Sequence, residues 1–278
     1  MYGPPLFRQH ASHIDEQPSG DEALNVDQAL AARARRILII GCSDGIGLAT
    51  TRRLVAGGWQ TVGISRSPSP LEAPFYRHEV MDVAAPGYQS ALAEIVSRLG
   101  PFDACLYCAG IGVRHDLSSL EDDIKVFQVN LMAAVATAAE LIPQMVSARR
   151  GRFVVLSSQA DALIASANPS YAASKAAMSS YFEGLALAAR PSGVFITNIR
   201  FGFVDTKMAK APIKPFMRSV DWAADIVVHA LDRRAIRVTR PRRMALLVKL
   251  LRWVTEWRIR LSGWSVTDRE DVELKKLY

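Results

Sequence analysis

Tyr171 and Lys175 stand four residues apart in Tyr171-Ala-Ala-Ser-Lys175. That spacing puts both side chains on one face of a helix, because a turn takes about 3.6 residues. A phenol titrates near ~10 and exchanges protons poorly at neutral pH, and an ammonium held beside it favours the phenolate. The pair has the makings of a tuned general acid/base. Y-x-x-x-K also arises by chance, as a core tyrosine beside a solvated lysine, so its meaning depends on what else the chain brings to it.

A second constellation lies upstream. Ile37-Leu-Ile-Ile40 is all apolar, as a strand buried on both faces must be. Gly41-Cys-Ser-Asp-Gly45-Ile46-Gly47 follows, then an amphipathic stretch to about Ala56. Strand, glycine turn, helix is the layout of a dinucleotide phosphate site. The first glycine permits the tight turn, the second lets the backbone approach pyrophosphate, and the third lets helix pack closely on strand. The helix start adds N–H donors and partial positive charge. Gly41, Ser43, Asp44, Gly45, Ile46 and Gly47 are therefore candidate cofactor contacts.

The next strand, Gln60 to Ser65, ends in Ser65-Arg66. An acid at this tip would accept from free ribose hydroxyls and repel a 2′-phosphate. Arg66 would instead pair with that phosphate, which favours NADP(H) over NAD(H). Asp44, in the turn, is the charge that would oppose it. Tyr76 to Val80 reads as a third strand leading to Asp82-Val83, an acid for the adenine amino group and a neighbour for its ring; a turn cap is the plainer alternative for Asp82. After a helix over Tyr88–Leu99, broken by Gly100-Pro101, a strand over Asp103–Ala109 ends in Ala109-Gly110, small enough to pass close to a ribose.

Ser118 to Ala148 carries two helical patterns with Asn130 between them. A buried, unpaired amide costs about 1–3 kcal/mol, so Asn130 needs a partner or a task. Gly151 to Leu156 reads as the fifth strand, followed by Ser157-Ser158. Ligands of open parallel sheets sit beyond the carboxyl ends of strands, where Ser158 would meet a substrate oxygen. Ser170 is a candidate N-cap for the Tyr171/Lys175 helix, which runs to about Ala189. A sixth strand over Val194–Arg200 leads through Gly202-Phe-Val204-Asp-Thr206 into residues 207–220, read as a lid. A helix over Asp221–Asp232 and a strand over Ala235–Thr239 complete the core.

With these residues placed, the chain resembles the short-chain dehydrogenase/reductase family over about residues 36–240. Seven motifs occur in the family's order: Gly41-x-x-x-Gly45-Ile46-Gly47, Asp82-Val83, Ala109-Gly110, Asn130, Ser158, Tyr171-x-x-x-Lys175 and Gly202-x-x-x-Thr206. The resemblance implies a Rossmann-type doubly wound parallel sheet of about seven strands between helices. It implies a tetrad in which Tyr171 is the acid/base, Ser158 holds the substrate oxygen, Lys175 binds the nicotinamide ribose and lowers the Tyr171 pKa, and Asn130 anchors a relay water. Thr206 would bind the carboxamide, beside Gly202 and Val204. The implied reaction interconverts a carbonyl and an alcohol with NADP(H), and the family often forms dimers or tetramers. Ile40-Gly41, Tyr107-Cys108-Ala109-Gly110 and Phe201-Gly202 depart from the family's Thr-Gly, Asn-Asn-Ala-Gly and Pro-Gly. Tyr107-Cys108 is the one support for an alternative reading, a catalytically silent cofactor-binding or scaffold protein.

The 278 residues and their 50% hydrophobic content suit one large domain, residues 35–240, with a disordered extension over 1–34 and a basic amphipathic extension over 241–278. A short helix over Asp27–Arg36 would join the first two. Net charge is +7, yet ten Lys or Arg and one acid fall between Arg233 and Arg260. Leu246, Leu247, Leu250, Leu251, Val254 and Trp257 form a helical stripe there among cations, with Trp253 and Trp264 beside it. This pattern suits residues 240–264 to an anionic membrane surface, or to packing on their own domain or a second copy. No recognition motif for nucleic acid and no metal-ligand cluster appear. Cys42, Cys105 and Cys108 give no disulfide framework; Cys105 and Cys108, three apart on a strand, point to opposite faces. With no signal peptide or spanning stretch apparent, a reducing cytoplasm is the expected compartment, with membrane association through the C-terminal stretch. Leu163, Ile164, Phe203, Met208, Phe216 and Met217 would line an apolar substrate pocket.

Overall fold

The computed structural model describes residues 35–114, 116–209 and 213–274, with side chains to Ser262. The expected extension over 1–34, and nearly all of the short helix expected over Asp27–Arg36, lie outside the described residues.

Seven strands form one parallel sheet: β1 (Arg36–Ile40), β2 (Gln60–Ser65), β3 (Tyr76–Val80), β4 (Ala104–Tyr107), β5 (Gly151–Ser158), β6 (Val194–Phe201) and β7 (Arg237–Arg240). Their order is β3-β2-β1-β4-β5-β6-β7. The chain reverses direction between β1 and β4, and this opens a crevice at the strands' carboxyl ends. The helices are α1 (Gly45–Ala56), α2 (Tyr88–Leu99), α3 (Glu121–Phe127), α4 (Ala133–Ser147), α5 (Pro169–Ala189), α6 (Val220–Asp232) and α7 (Arg242–Leu274).

Alternate residues of the central strands feed two cores. Leu38 and Ile40 pack with Leu92, Leu141, Phe153 and Phe182 under α2, α4 and α5. Ile37 and Ile39 pack with Leu54, Val227 and Leu231 under α1 and α6. Cys105 belongs to the first core and Cys108 packs against the second, on opposite faces as their spacing requires.

Several local outcomes differ from the sequence reading. β5 continues two residues past Leu156, because Ser157 and Ser158 find ladder partners in Arg200 and Phe201 on β6. Between α3 and α4 the backbone opens into one π-helical turn, Gln128–Met132, with Asn130 at its centre. Ser170 does not cap α5: Asn168 occupies that position without a side-chain bond, and the Ser170 hydroxyl donates to Asp123 on α3 instead. The run Glu121–Ser147 is long and apolar enough to cross a membrane by length and composition, yet half of its most apolar 18-residue window is buried within the fold.

Candidate active site

The glycine turn lies where β1 meets α1. Gly41 has φ +90°, and a Cβ there would stand 2.6 Å from the Ala109 nitrogen. A Cβ on Gly47 would stand 1.9 Å from the Gly41 carbonyl oxygen. Both positions therefore demand glycine, and the first sets the turn directly against Ala109-Gly110 beyond β4. Asp44 caps α1, accepting from the Gly45 N–H at 2.8 Å, and pairs with Lys207 Nζ at 2.7 Å. The hydrogen bond from Lys207 holds the Asp44 carboxyl below its usual range. The opposing charge anticipated in the turn is thus countered. A Cβ on Gly45 would sit 3.4 Å from Thr206 Cγ2, so the turn faces the segment leaving β6.

The remaining candidates for a dinucleotide are distributed along the same edge. Arg66 is exposed just past β2, with no ion pair among the described residues. The Ser65 hydroxyl is engaged by the Ser67 carbonyl at 2.9 Å and His78 Nε2 at 2.7 Å. Asp82 accepts from the Ala84 N–H at 3.0 Å, the turn cap anticipated as its plainer use, while Val83 packs against the core. Val204 is buried, and the Thr206 N–H donates to its carbonyl at 2.8 Å. A glycine cradle that no side chain could fill fits the pyrophosphate of a dinucleotide.

Asn130, Ser158, Tyr171 and Lys175 converge at the mouth of this crevice. A Cβ on Gly110 would lie 3.4 Å from Asn130 Oδ1 and 3.5 Å from Lys175 Nζ, and one on Gly112 would lie 3.4 Å from Tyr171 Cδ2. The Ser158 hydroxyl lies near enough to the Tyr171 phenol to pull its titration down, and it accepts from the Ala160 N–H at 3.1 Å. Lys175 is 4% exposed, and its Nζ donates to the Leu156 carbonyl at 2.9 Å. Asn130 Oδ1 accepts from the Ile111 N–H at 2.8 Å, and its Nδ2 donates to the Ile111 carbonyl at 2.9 Å and to Ser174 Oγ at 3.0 Å. The Ser174 hydroxyl in turn donates to the Tyr171 carbonyl at 2.8 Å. The amide thus ties the exit of β4 to the helix that carries Tyr171.

Burial sets the electrostatics. It pulls the Lys175 ammonium down to about 8, against upward pulls from Cys108 and Asp161. It pushes the Tyr171 phenol up; the Ser158 hydroxyl opposes this and the Asp161 charge adds to it. The spacing led us to expect Lys175 to lower the phenol. Here Lys175 Nζ is 6.0 Å from the Tyr171 ring centre and directed at a carbonyl, and loss of solvent is the largest influence on the phenol.

Two features of the site were missed by the sequence reading. Asp161, three residues past Ser158, forms a partly buried ion pair with Arg200 of β6 and accepts from the Ser179 hydroxyl at 2.6 Å. Arg200 within a strand of the central sheet was the available signal, because a guanidinium largely removed from water requires a counter-ion. The other feature is the use made of Tyr107-Cys108. The Tyr107 hydroxyl donates to the Val129 carbonyl at 2.6 Å, satisfying a group in the π turn beside Asn130. The Cys108 thiol reaches the Ile40 and Gly41 carbonyls at 3.1 and 3.2 Å, directly under the glycine turn. Both residues brace the elements that flank the crevice.

Fold and crevice together define a Rossmann-type dinucleotide-binding protein. Residues 35–214 match the family model described as short chain dehydrogenase, and the chain belongs to that family. It is an NAD(P)-dependent dehydrogenase/reductase. Dehydrogenase/reductase SDR family member 7B of Rattus norvegicus is 29% identical over 62% of this chain, which spans 59% of that protein. A fatty acyl-CoA reductase of Acinetobacter baylyi is 27% identical, over 72% of this chain and 74% of its own. The crystal structure of BdcA in complex with NADPH shares the fold, with TM-score 0.60 and 23% identity over 74% of this chain and 92% of that one.

Proposed function

We propose that the protein reduces an apolar ketone or aldehyde with NADPH, with Tyr171 as the general acid. The observation that carries this reading is the convergence of the Ser158 hydroxyl, the Tyr171 phenol and the buried Lys175 amine beside Gly110. The bound nicotinamide would supply the hydride. Ser158 would donate a hydrogen bond to the carbonyl oxygen as negative charge develops there, and Tyr171 would give that oxygen its proton. Lys175 would hold the nicotinamide ribose and stabilise the resulting phenolate. Asn130 would keep the exit of β4 in register with Tyr171 and anchor the water that returns a proton through Lys175.

Gly41, Ser43, Gly45, Ile46 and Gly47 would hold the pyrophosphate, and Asp82 and Val83 the adenine. Ala109 and Gly110 would flank a ribose, while Gly202, Val204 and Thr206 would face the carboxamide. The preference for NADP(H) over NAD(H) rests on Arg66, which would pair with the 2′-phosphate next to Ser65, and on the countering of Asp44 by Lys207. An apolar substrate is favoured by Ile164, Met208, Phe216 and Met217, all 42–49% exposed, and by the likeness to a fatty acyl-CoA reductase. Self-association is favoured by exposed Ile124 and Phe127 on α3 and Met132 in the π turn, and by Tyr181 and Leu187 on α5. Residues 240–264 complete the proposal as the stretch that meets an anionic membrane surface.

The test follows NADPH absorbance with a panel of long-chain and cyclic carbonyls, NADH serving as the comparison. Tyr171→Phe should lower turnover about 10²–10⁴-fold and leave NADPH binding in place. Undiminished turnover by this variant, or failure of the wild type to bind NADPH, refutes the reading. Binding without turnover across the panel favours the catalytically silent alternative.

A further inference from the structure

The C-terminal helix is clamped at its root and bare along its length. Gln159, the residue after Ser158, donates from Nε2 to the carbonyls of Arg240 at 2.9 Å and Pro241 at 3.0 Å. A Cβ on Gly202 would lie 3.2 Å from both Pro241 Cδ and Met244 Cγ. Met244 and Val248, 8% and 2% exposed, seat the first turns of α7 on the domain. The opposite side of the helix has no such cover among the described residues. Leu246, Leu250, Trp253, Val254, Trp257 and Leu261 fall within an arc of roughly 100°, and five of the six are 55–70% exposed.

Charge decides what this stripe fits. Between Arg240 and Arg260 seven cations stand against one acid, Glu256, which is already paired with Arg252 at 2.7 Å. Lys249 and Arg260 border one side of the arc and Arg258 the other. Two copies meeting along the stripe would bring these cations together, whereas an anionic lipid surface complements them. Two tryptophans on the apolar arc suit the headgroup level of a bilayer.

We infer that the stripe of Leu246, Leu250, Trp253, Trp257 and Leu261 docks the protein in the plane of an anionic membrane, and that the clamp at Gln159 and Gly202 holds the mouth of the crevice at that surface so that the apolar carbonyl enters from the lipid. The second half of this inference rests on the oxidoreductase reading above; the docking itself does not. Leaving β6, the chain adds exposed Met208, Ile213, Phe216 and Met217 with Lys207 and Lys214, a second apolar and basic edge next to Gly202.

The test uses the full chain in flotation with vesicles of phosphatidylcholine alone and of phosphatidylcholine with phosphatidylglycerol. The wild type should float with the anionic vesicles only and be released by salt. Trp253→Glu/Trp257→Glu, at exposed positions that leave the domain core untouched, should weaken partitioning at least tenfold (~10-fold or more for two apolar anchors lost). Arg258→Gln should weaken it about fivefold. Turnover of a long-chain carbonyl presented in vesicles should fall in the double variant, while turnover of a short water-soluble carbonyl and NADPH binding stay at wild-type levels. A wild type that remains with the soluble fraction overturns the proposal, as does a double variant that floats like the wild type. A double variant that dissociates into a smaller species, without any flotation of the wild type, assigns the stripe to a second copy and also overturns it. Flotation without turnover of either carbonyl keeps the docking and rejects the oxidoreductase reading.

Discussion

Replacing Lys175 by methionine should change the stability of the cofactor-free protein by an amount that depends on pH. The wild-type amine is 4% exposed and titrates at about 8, against 10.5 for the ordinary side chain. A lowered lysine pKa means that the unfolded chain holds the proton more tightly than the native one. The penalty is therefore fully present below about pH 8, and it is relieved as pH rises from there toward 10.5. The difference between those two values corresponds to about 3 kcal/mol at ~1.4 kcal/mol per unit. Lys175→Met removes this term but strands the Leu156 carbonyl, which accepts from Nζ at 2.9 Å, at a cost of about 1–3 kcal/mol. The net change at neutral pH is small, whereas its pH dependence is not. Urea unfolding of both proteins without cofactor, at intervals from pH 7 to 10.5, should show the variant's relative stability falling by about 3 kcal/mol across that range. Taking the difference between the two proteins cancels groups that titrate alike in both. A difference that stays flat with pH would refute the argument that desolvation controls this amine.

Arg66→Gln should raise the dissociation constant for NADPH about 10- to 100-fold, the worth of a charge-assisted hydrogen bond of ~1.5–3 kcal/mol, with NADH little changed. Equal losses for the two cofactors would remove Arg66 from the 2′-phosphate site. Asp161→Asn should destabilise by about 3–5 kcal/mol, since it leaves a guanidinium whose side chain is 16% exposed without its counter-ion. Because the Asp161 charge raises both Tyr171 and Lys175, the alkaline limb of carbonyl reduction should also move to lower pH. Thermal unfolding within a few degrees of wild type, or an unmoved limb, would count against the roles assigned to this pair.

The parts of the fold that sequence reveals here are those governed by local rules. Ile37–Ile40 reads as a doubly buried strand from composition alone, and Gly41 and Gly47 are dictated by close approaches at 2.6 and 1.9 Å that admit no side chain. The spacing of Tyr171 and Lys175 places both on one helix face whatever surrounds them. Asp161 and Arg200 lie 39 residues apart and meet only because β5 and β6 are neighbours in the sheet; nothing near either residue names the other. The π turn at Asn130 was equally hidden, because a single apolar helix and an interrupted one share a pattern. It becomes intelligible once the Tyr107 hydroxyl is seen on the Val129 carbonyl. The stripe of the C-terminal helix was legible, but the seating of Met244 and Val248 that leaves its other face bare was not, since amphipathicity does not say what covers a face.

The direction of the Tyr171 shift bears on the pH dependence of the chemistry. Had the ammonium dominated, the phenol would be poised to take a proton from an alcohol. With burial dominant, it stays protonated through neutral pH, as a residue that must deliver a proton to a carbonyl oxygen should. Lys175, brought down to about 8, is still mostly charged at pH 7, so the phenolate formed on delivery would find a cation close by. Reduction then requires Tyr171 protonated and Lys175 charged together, and the second condition lapses first as pH rises. The alkaline limb of carbonyl reduction should accordingly follow the amine and not the phenol.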